Sequence, residues 1–334
     1  MEGMTGSELK ASFNIHGLPL EISAVHPLLF EAFVQDLSRF RVSRPSPSRD
    51  AVRLRLTALP DLTYGNGYPS PFSPYREAGS RAIAASGNTV TCYGRNTVVV
   101  LSSFREPAIR AAVLPEAELL IDPAYHYCFT QPANFWFKRR GLFFVHAGCV
   151  SSGSEGILII GHSRAGKSTL SLCAVQAGFK FLSDEQPLLA LRRGRVVAHP
   201  FPRRIRIDRA AAGLFPNLRP ILKSCPSRRL VFHIEKVWPG CIASSCRPRI
   251  LLFPRFQARG RLRLSRLQPS EALARLLQDD HFIWYKNSPQ PNLSHQHLAL
   301  FEKLARQASA HTLEYGNRDL PRIPSLFHRL LDHG

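Results

Sequence analysis

The sequence predicts an α/β chain, in which a mixed sheet flanked by helices follows a smaller N-terminal α+β module. Three observations carry this. Residues 156–176 read as an apolar strand, a Gly-rich turn and a helix in succession, the unit from which α/β sheets are built. Short apolar strands punctuated by Pro then recur between residues 180 and 267, and helical periodicity returns near the end. The pattern of elements also changes near residue 122, which divides the chain into 1–122 and 123–334. A length of 334 residues allows two domains and a sizeable core.

Taken in order, "SFNIHGLPLEIS" is a short strand and "PLLFEAFVQDLSRF" an apolar-periodic helix. "AVRLRLTAL" alternates as a half-buried strand does, and residues 61–88, rich in Gly, Pro, Ser and Tyr, read as a long loop. "TVTCYGRNTVVVLSS" gives two strands joined at "GRN", and "EAELLIDP" a further strand. In the second part, "PANFWFKRR" is helical, and "LFFVHAGCV" leads through the turn "SSGSEG" to the strand "GILII". The helix "KSTLSLCAVQAG" closes on Gly178, and the strand "FKFLSDE" comes next. "LLAL", "RVVAHPF", "RRIRID", "RILLFPRF" and "RLRLSRL" are strands, "SEALARLLQ" and "HLALFEKLARQAS" helices, "HTLEY" a strand and "IPSLFHRLLD" the last helix.

Composition narrows the function classes. Hydrophobic content of 44% with 20% charged residues describes a globular chain and excludes a disordered one. No apolar run approaches the roughly 18–20 residues that span a bilayer. The opening residues lack the basic-then-apolar plan of a secretion signal, so a cytoplasmic location is expected. Seven cysteines without a Cys-x-x-Cys pair give neither a disulfide framework nor a zinc knuckle. The formal net charge is +20, and residues 192–266 hold 19 Lys or Arg against two acids, Asp208 and Glu235, or +17 of that total. Such a stretch suits an acidic partner or is a solvated arginine-rich surface. No RNA-binding motif, helix-turn-helix or zinc-finger spacing accompanies it, which argues against nucleic acid.

The chemistry centres on "GILIIGHSRAGKSTL". Gly161, His162, Ser163, Arg164, Ala165, Gly166, Lys167 and Ser168 fit the Gly-x4-Gly-Lys-Ser spacing, between a strand and a helix as a phosphate loop requires. Glycines let successive backbone N–H groups turn inward toward phosphate oxygens, and the start of the helix, with Thr169, adds its positive dipole end. Lys167 would reach the outer phosphates and the Ser168 hydroxyl would ligate Mg2+. Taken alone, the loop leaves nucleotide hydrolysis, phosphoryl transfer and nucleotide sensing open.

Two further positions favour transfer. If residues 153 and 154 form a two-residue hairpin turn, facing residues have numbers that sum to 307, and His146 lies opposite Gly161 at the mouth of the loop. Asp184 and Glu185 come after the apolar strand "FKFL", at the strand end where α/β sheets place ligands. Acids there hold magnesium, or accept the proton of an attacking hydroxyl, and a neighbouring His–Asp couple suits acid–base work.

The run "VHAGCV…GILIIGHSRAGKSTLSLCAVQAGFKFLSDEQPLL" resembles the catalytic core of the HPr kinase/phosphorylase family and its relatives, among them the serine kinases that accompany lasso-peptide biosynthesis. The family's His-x-Gly strand falls at His146 to Gly148, its Gly-Lys-Ser loop at Gly161 to Ser168, and its strand ending in paired acids at Ser183 to Glu185. The resemblance implies the phosphoenolpyruvate-carboxykinase-like P-loop fold and an ATP- and Mg2+-dependent kinase, often assembled as a homo-oligomer. It further implies that Lys167 binds phosphate, Ser168 binds the metal, and Asp184, assisted by His146, accepts a proton. Arg164 replaces a loop glycine and Glu185 the second Asp. "HPFPRRIRID" stands where the Glu-Ile-Arg-Gly segment of HPr kinases would be, so a peptide or protein serine other than HPr is the expected acceptor, and an acidic one would suit the basic stretch. Arg203, Arg204 and Arg206 would then contact phosphate or acceptor, or form a solvated strand.

Overall fold

The computed structural model describes residues 8–25, 27–44, 50–58, 80–85, 88–93, 98–103, 106–113, 129–162, 165–258, 260–279 and 291–333. It is a mixed α/β chain that forms two compact units, residues 1–140 with 286–291 and residues 141–285 with 292–334.

In the first unit, β1 (Leu9–Ile15), β2 (Leu18–Ala24), β3 (Arg41–Val42), β4 (Val52–Ala58), β5 (Ser80–Ala85), β6 (Asn88–Tyr93), β7 (Val98–Ser103) and β8 (Ala108–Val113) make one eight-stranded sheet in the order β3-β1-β2-β4-β8-β7-β6-β5. The segment expected to be one short strand is a hairpin. His16 and Gly17 both adopt positive φ, 51° and 92°, and the Asn14 side chain accepts the Gly17 N–H at 2.7 Å, which together form the turn between β1 and β2. The expected loop at 61–88 also carries a strand, because β5 pairs antiparallel along the whole of β6. The "GRN" turn and the expected strand "EAELLIDP" lie outside the described residues. The helix Pro27–Asp36 buries Phe33 completely beside the apolar residues of β1 and β2. The helix Gln131–Arg139, which the sequence groups with the second part of the chain, belongs to this unit. Just beyond it, Arg140 donates to the Gly17 carbonyl at 2.7 Å and pairs with Asp50.

The second unit contains β9 (Leu142–Phe144), β10 (Ala147–Ser152), β11 (Glu155–Ile160), β12 (Lys180–Ser183), β13 (Leu188–Arg192), β14 (Arg195–His199), β15 (Ile205–Asp208), β16 (Arg229–Phe232), β17 (Arg247–Phe256), β18 (Arg263–Leu267) and β19 (Ser309–Tyr315). Its main sheet has six strands in the order β12-β10-β11-β17-β19-β18, mixed in direction, with the parallel pairs β11–β17 and β17–β19 at its centre. The strands β14-β13-β9 form a small antiparallel sheet, and β15 pairs with β16 alone.

The unbroken apolar runs of β11 and β17 follow from burial on both faces. Ile157, Ile159, Ile250 and Leu252 pack into one core with Leu170 and Val175 of the helix Lys167–Gln176 and with Phe327 of the helix Ile323–His333. The intervening Leu158, Ile160, Leu251 and Phe253 face a second core, with Leu276 of the helix Pro269–Asp279 and Phe301 and Leu304 of the helix Pro291–Gln307. Side chains alternate across a strand, so a strand apolar at every position needs helices on both sides. Full burial of each such residue stabilises the unit by about 1.5–3 kcal/mol.

Candidate functional site

β10 and β11 pair antiparallel from Ala147↔Ile160 to Ser152↔Glu155, so facing residues sum to 307 as the turn at 153–154 requires. His146 precedes Ala147 and Gly161 follows Ile160, so both flank the pair at the open end of the hairpin, away from the turn. "LFFVHAGCV" divides there into β9 and β10, which belong to different sheets. On either side of the break, Val145 N–H donates to the Pro187 carbonyl at 3.2 Å and Ala147 N–H to that of Glu185 at 3.1 Å. His146, half-buried between these two bonds, is thereby held against the Asp184 turn.

The residues 161–166 connect β11 to the helix Lys167–Gln176. Ser163 and Arg164 lie outside the described residues. Gly161 is buried and His162 exposed. Ala165 N–H donates to the His162 carbonyl at 3.1 Å, which closes the loop as a turn. Gly166 adopts φ 93°, a left-handed conformation that suits glycine, and a Cβ there would collide with the Tyr315 hydroxyl. That hydroxyl lies 3.5 Å from the Ala165 carbonyl, so Tyr315, from the end of β19, sits directly under the loop. Lys167 is buried, and its Nζ donates to the carbonyls of Gly161 at 2.6 Å and His162 at 3.3 Å. Phosphate oxygens would compete for those same N–H bonds. The helix closes with a Schellman motif, in which Gly178 N–H donates to Val175 O and Phe179 N–H to Ala174 O.

β12 pairs with β10 and ends at Ser183, so Asp184 falls beside the start of the helix. Ser183 Oγ accepts the Gln186 N–H at 3.0 Å and donates to the Phe201 carbonyl at 3.0 Å, which fixes the turn. Ser168 Oγ donates to Asp184 Oδ2 at 2.8 Å. The other carboxyl oxygen, Asp184 Oδ1, is buried with no hydrogen-bond partner among the described residues. Burial is the main cause that raises the Asp184 pKa from 3.8 to about 7. The Ser168 bond opposes the rise, neighbouring Glu185 adds to it, and Lys167 opposes it.

These groups open onto one cleft of about 560 Å³, lined by His146, Gly166, Lys167, Ser168, Thr169, Asp184 and Glu185 among others. It therefore brings together all three expected catalytic residues, all three expected metal ligands and part of the phosphate loop. Arg203, Arg204 and Arg206 line it as well, and Arg203 donates to Gln186 Oε1 at 3.3 Å. Tyr315, Phe256 and Arg229 complete the cleft without having been singled out in the sequence. Phe256 and Tyr315 end the parallel strands β17 and β19, where ligands gather, which was the available signal; Arg229 opens the antiparallel strand β16 and carried no such signal. Nothing in one dimension joins Tyr315 to a loop 150 residues earlier.

The sequence matches no protein-family model and no curated protein. Among solved structures, the chain is similar to the Hpr(Ser) kinase/phosphatase from Coxiella burnetii at 13% sequence identity, over 56% of this chain and 90% of that one, with a TM-score of 0.30. A superposition that loose leaves the chemistry to this chain's own residues. Among the described residues no helix is long and apolar enough to cross a membrane.

Proposed function

We propose that the chain is a Mg2+- and ATP-dependent kinase that transfers the γ-phosphoryl group of ATP to a hydroxyl, a serine of a peptide or protein other than HPr. The observation that carries this is Asp184. One of its oxygens is engaged by Ser168 at the start of the loop helix, the other is buried with no hydrogen-bond partner among the described residues, and Asp184 lines the same cleft as Lys167 and Ser168. A buried carboxyl oxygen with no hydrogen-bond partner among the described residues is available to accept a proton.

The roles follow from position. Lys167 and the N–H groups at the start of the helix Lys167–Gln176 neutralise the phosphates. The Ser168 hydroxyl, Asp184 Oδ2 and the Glu185 carboxylate are the hard oxygen donors that a magnesium ion takes. That ion, when bound, offsets charge on the transferring group. Asp184 Oδ1 receives the proton of the acceptor hydroxyl while the new O–P bond forms and the bond from the γ-phosphorus to the β–γ bridging oxygen breaks, so that ADP leaves. His146 lines the same cleft and assists Asp184 in that proton transfer.

The test is transfer of labelled phosphate from ATP into proteins of a bacterial lysate, with wild type and Asp184→Asn compared at equal, verified nucleotide binding. A labelled band produced by the wild type alone is expected. Equal labelling by both, or none by either with binding intact, would refute the assignment.

A further inference from the structure

The cleft has a second wall, built by β15, β16 and the short helix Arg209–Ala212, that phosphate binding leaves unexplained. β15 alternates in burial. Ile205 and Ile207 enter the core, with Leu230 and Phe232 of β16, while Arg206 and Asp208 face outward. By the same alternation Arg204 shares the outward face, and the β16 register places Arg229 opposite Asp208. Asp208 is matched by Arg229 at 3.3 Å, with both side chains about half exposed. Overall, the cleft is lined by Lys167, Arg203, Arg204, Arg206 and Arg229 against Asp184, Glu185 and Asp208, five cations to three carboxylates. Four of the five cations, Arg203, Arg204, Arg206 and Arg229, belong to this wall, so the net positive charge of the lining is concentrated there. Arg203 is turned to Gln186, in the turn that carries both acids. The cationic side of the cleft is thus continuous from the phosphoryl-transfer end to the face of β15.

We infer that this wall selects the acceptor, taking an acidic peptide segment whose Asp or Glu side chains lie close to the serine that is phosphorylated. The inference rests on the transfer reading above, because it names the bound segment as the acceptor. Planar guanidinium groups on one strand face suit carboxylates that project from an extended peptide. Leu214, which lines the cleft, and Val231, which pairs with Arg206 across β16, are both exposed although apolar and offer that peptide contact beside the charges.

Binding and transfer are measured separately, so that either can fail alone. Fluorescently labelled serine peptides of equal length, acidic, neutral and basic, are titrated with the full chain and read by anisotropy with a saturating non-hydrolysable ATP analogue and Mg2+. The acidic peptide should bind at least tenfold tighter than the neutral one at low salt, with the gap shrinking as ionic strength rises. Arg204→Gln with Arg206→Gln should remove most of that gap and leave analogue affinity unchanged. Arg206→Glu, at an exposed position, should reverse the preference. Arg263→Gln, exposed on β18 and outside the cleft, should change nothing. Equal binding of all three peptides, a preference untouched by the arginine changes, or loss of analogue affinity in place of peptide affinity would overturn the inference. Preferential acidic binding without any transfer of labelled phosphate would refute the kinase reading and leave the acidic-segment site standing.

Discussion

Gly166→Ala tests whether the loop is held from below by Tyr315. The substitution places a Cβ on a backbone at φ 93°, where an L-residue costs about 1–2 kcal/mol. The same Cβ runs into the Tyr315 hydroxyl. That side chain is 1% exposed and fixed in the core, so it gives way only by overpacking its surroundings, at about 1–3 kcal/mol. The sum, about 2–5 kcal/mol, is a large part of the roughly 5–15 kcal/mol that holds a domain together. Urea denaturation of Gly166→Ala, Tyr315→Phe and the double variant separates the two contributions. Tyr315→Phe removes the colliding oxygen but leaves the ring Cζ at 3.1 Å and the backbone strain intact. The alanine should therefore cost about 1 kcal/mol or more less in the Phe background than in wild type, a coupling that a double-mutant cycle reads directly. Both Gly166→Ala proteins should also bind nucleotide more weakly, since the strained residue is the one before Lys167. A Gly166→Ala protein within about 0.5 kcal/mol of wild type, or an alanine penalty identical in the two backgrounds, would refute this account of the loop.

Two further outcomes are expected. In metal-free protein the Asp184 pKa is raised from 3.8 to about 7, so the carboxyl binds its proton more tightly folded than unfolded. Its contribution to stability is then present below pH 3.8 and is lost as pH rises through about 7, by up to about 4 kcal/mol. In chelator, Asp184→Asn should be the more stable protein above pH 7 and should lose that advantage in acid, and parallel stability profiles would count against the burial argument. Ser168→Ala removes the hydroxyl that donates to Asp184 Oδ2, so the magnesium dependence of nucleotide binding should weaken by roughly 10- to 100-fold. A magnesium titration that does not move would show that Ser168 is no ligand.

How much of this could be read in advance depended on whether a feature is local. The loop and its helix were legible because Gly, Lys and Ser at fixed spacing between an apolar strand and a periodic helix encode a local conformation. The β10–β11 register was legible too, since a two-residue turn dictates every facing pair. The β1–β2 hairpin was missed because its turn begins with His16, a residue that enters positive φ far less readily than glycine. β5 was missed because its partner β6, rather than its own Ala-rich sequence, makes it a strand.

By itself the sequence determined the phosphate-loop spacing, the strand-end acids at Asp184 and Glu185, the basic stretch from 192 to 266 and the apolar runs that demand helices on both faces of a sheet. All of these depend on neighbours along the chain. Only the tertiary structure decided that Tyr315 lies under Gly166, that Ser168 meets Asp184, that Asp184 Oδ1 is left buried without a hydrogen-bond partner among the described residues, and that the arginines of β15 share a cleft with them. Those juxtapositions come from strand order and from burial, which bring together residues up to 150 positions apart and remove the water that would otherwise screen them.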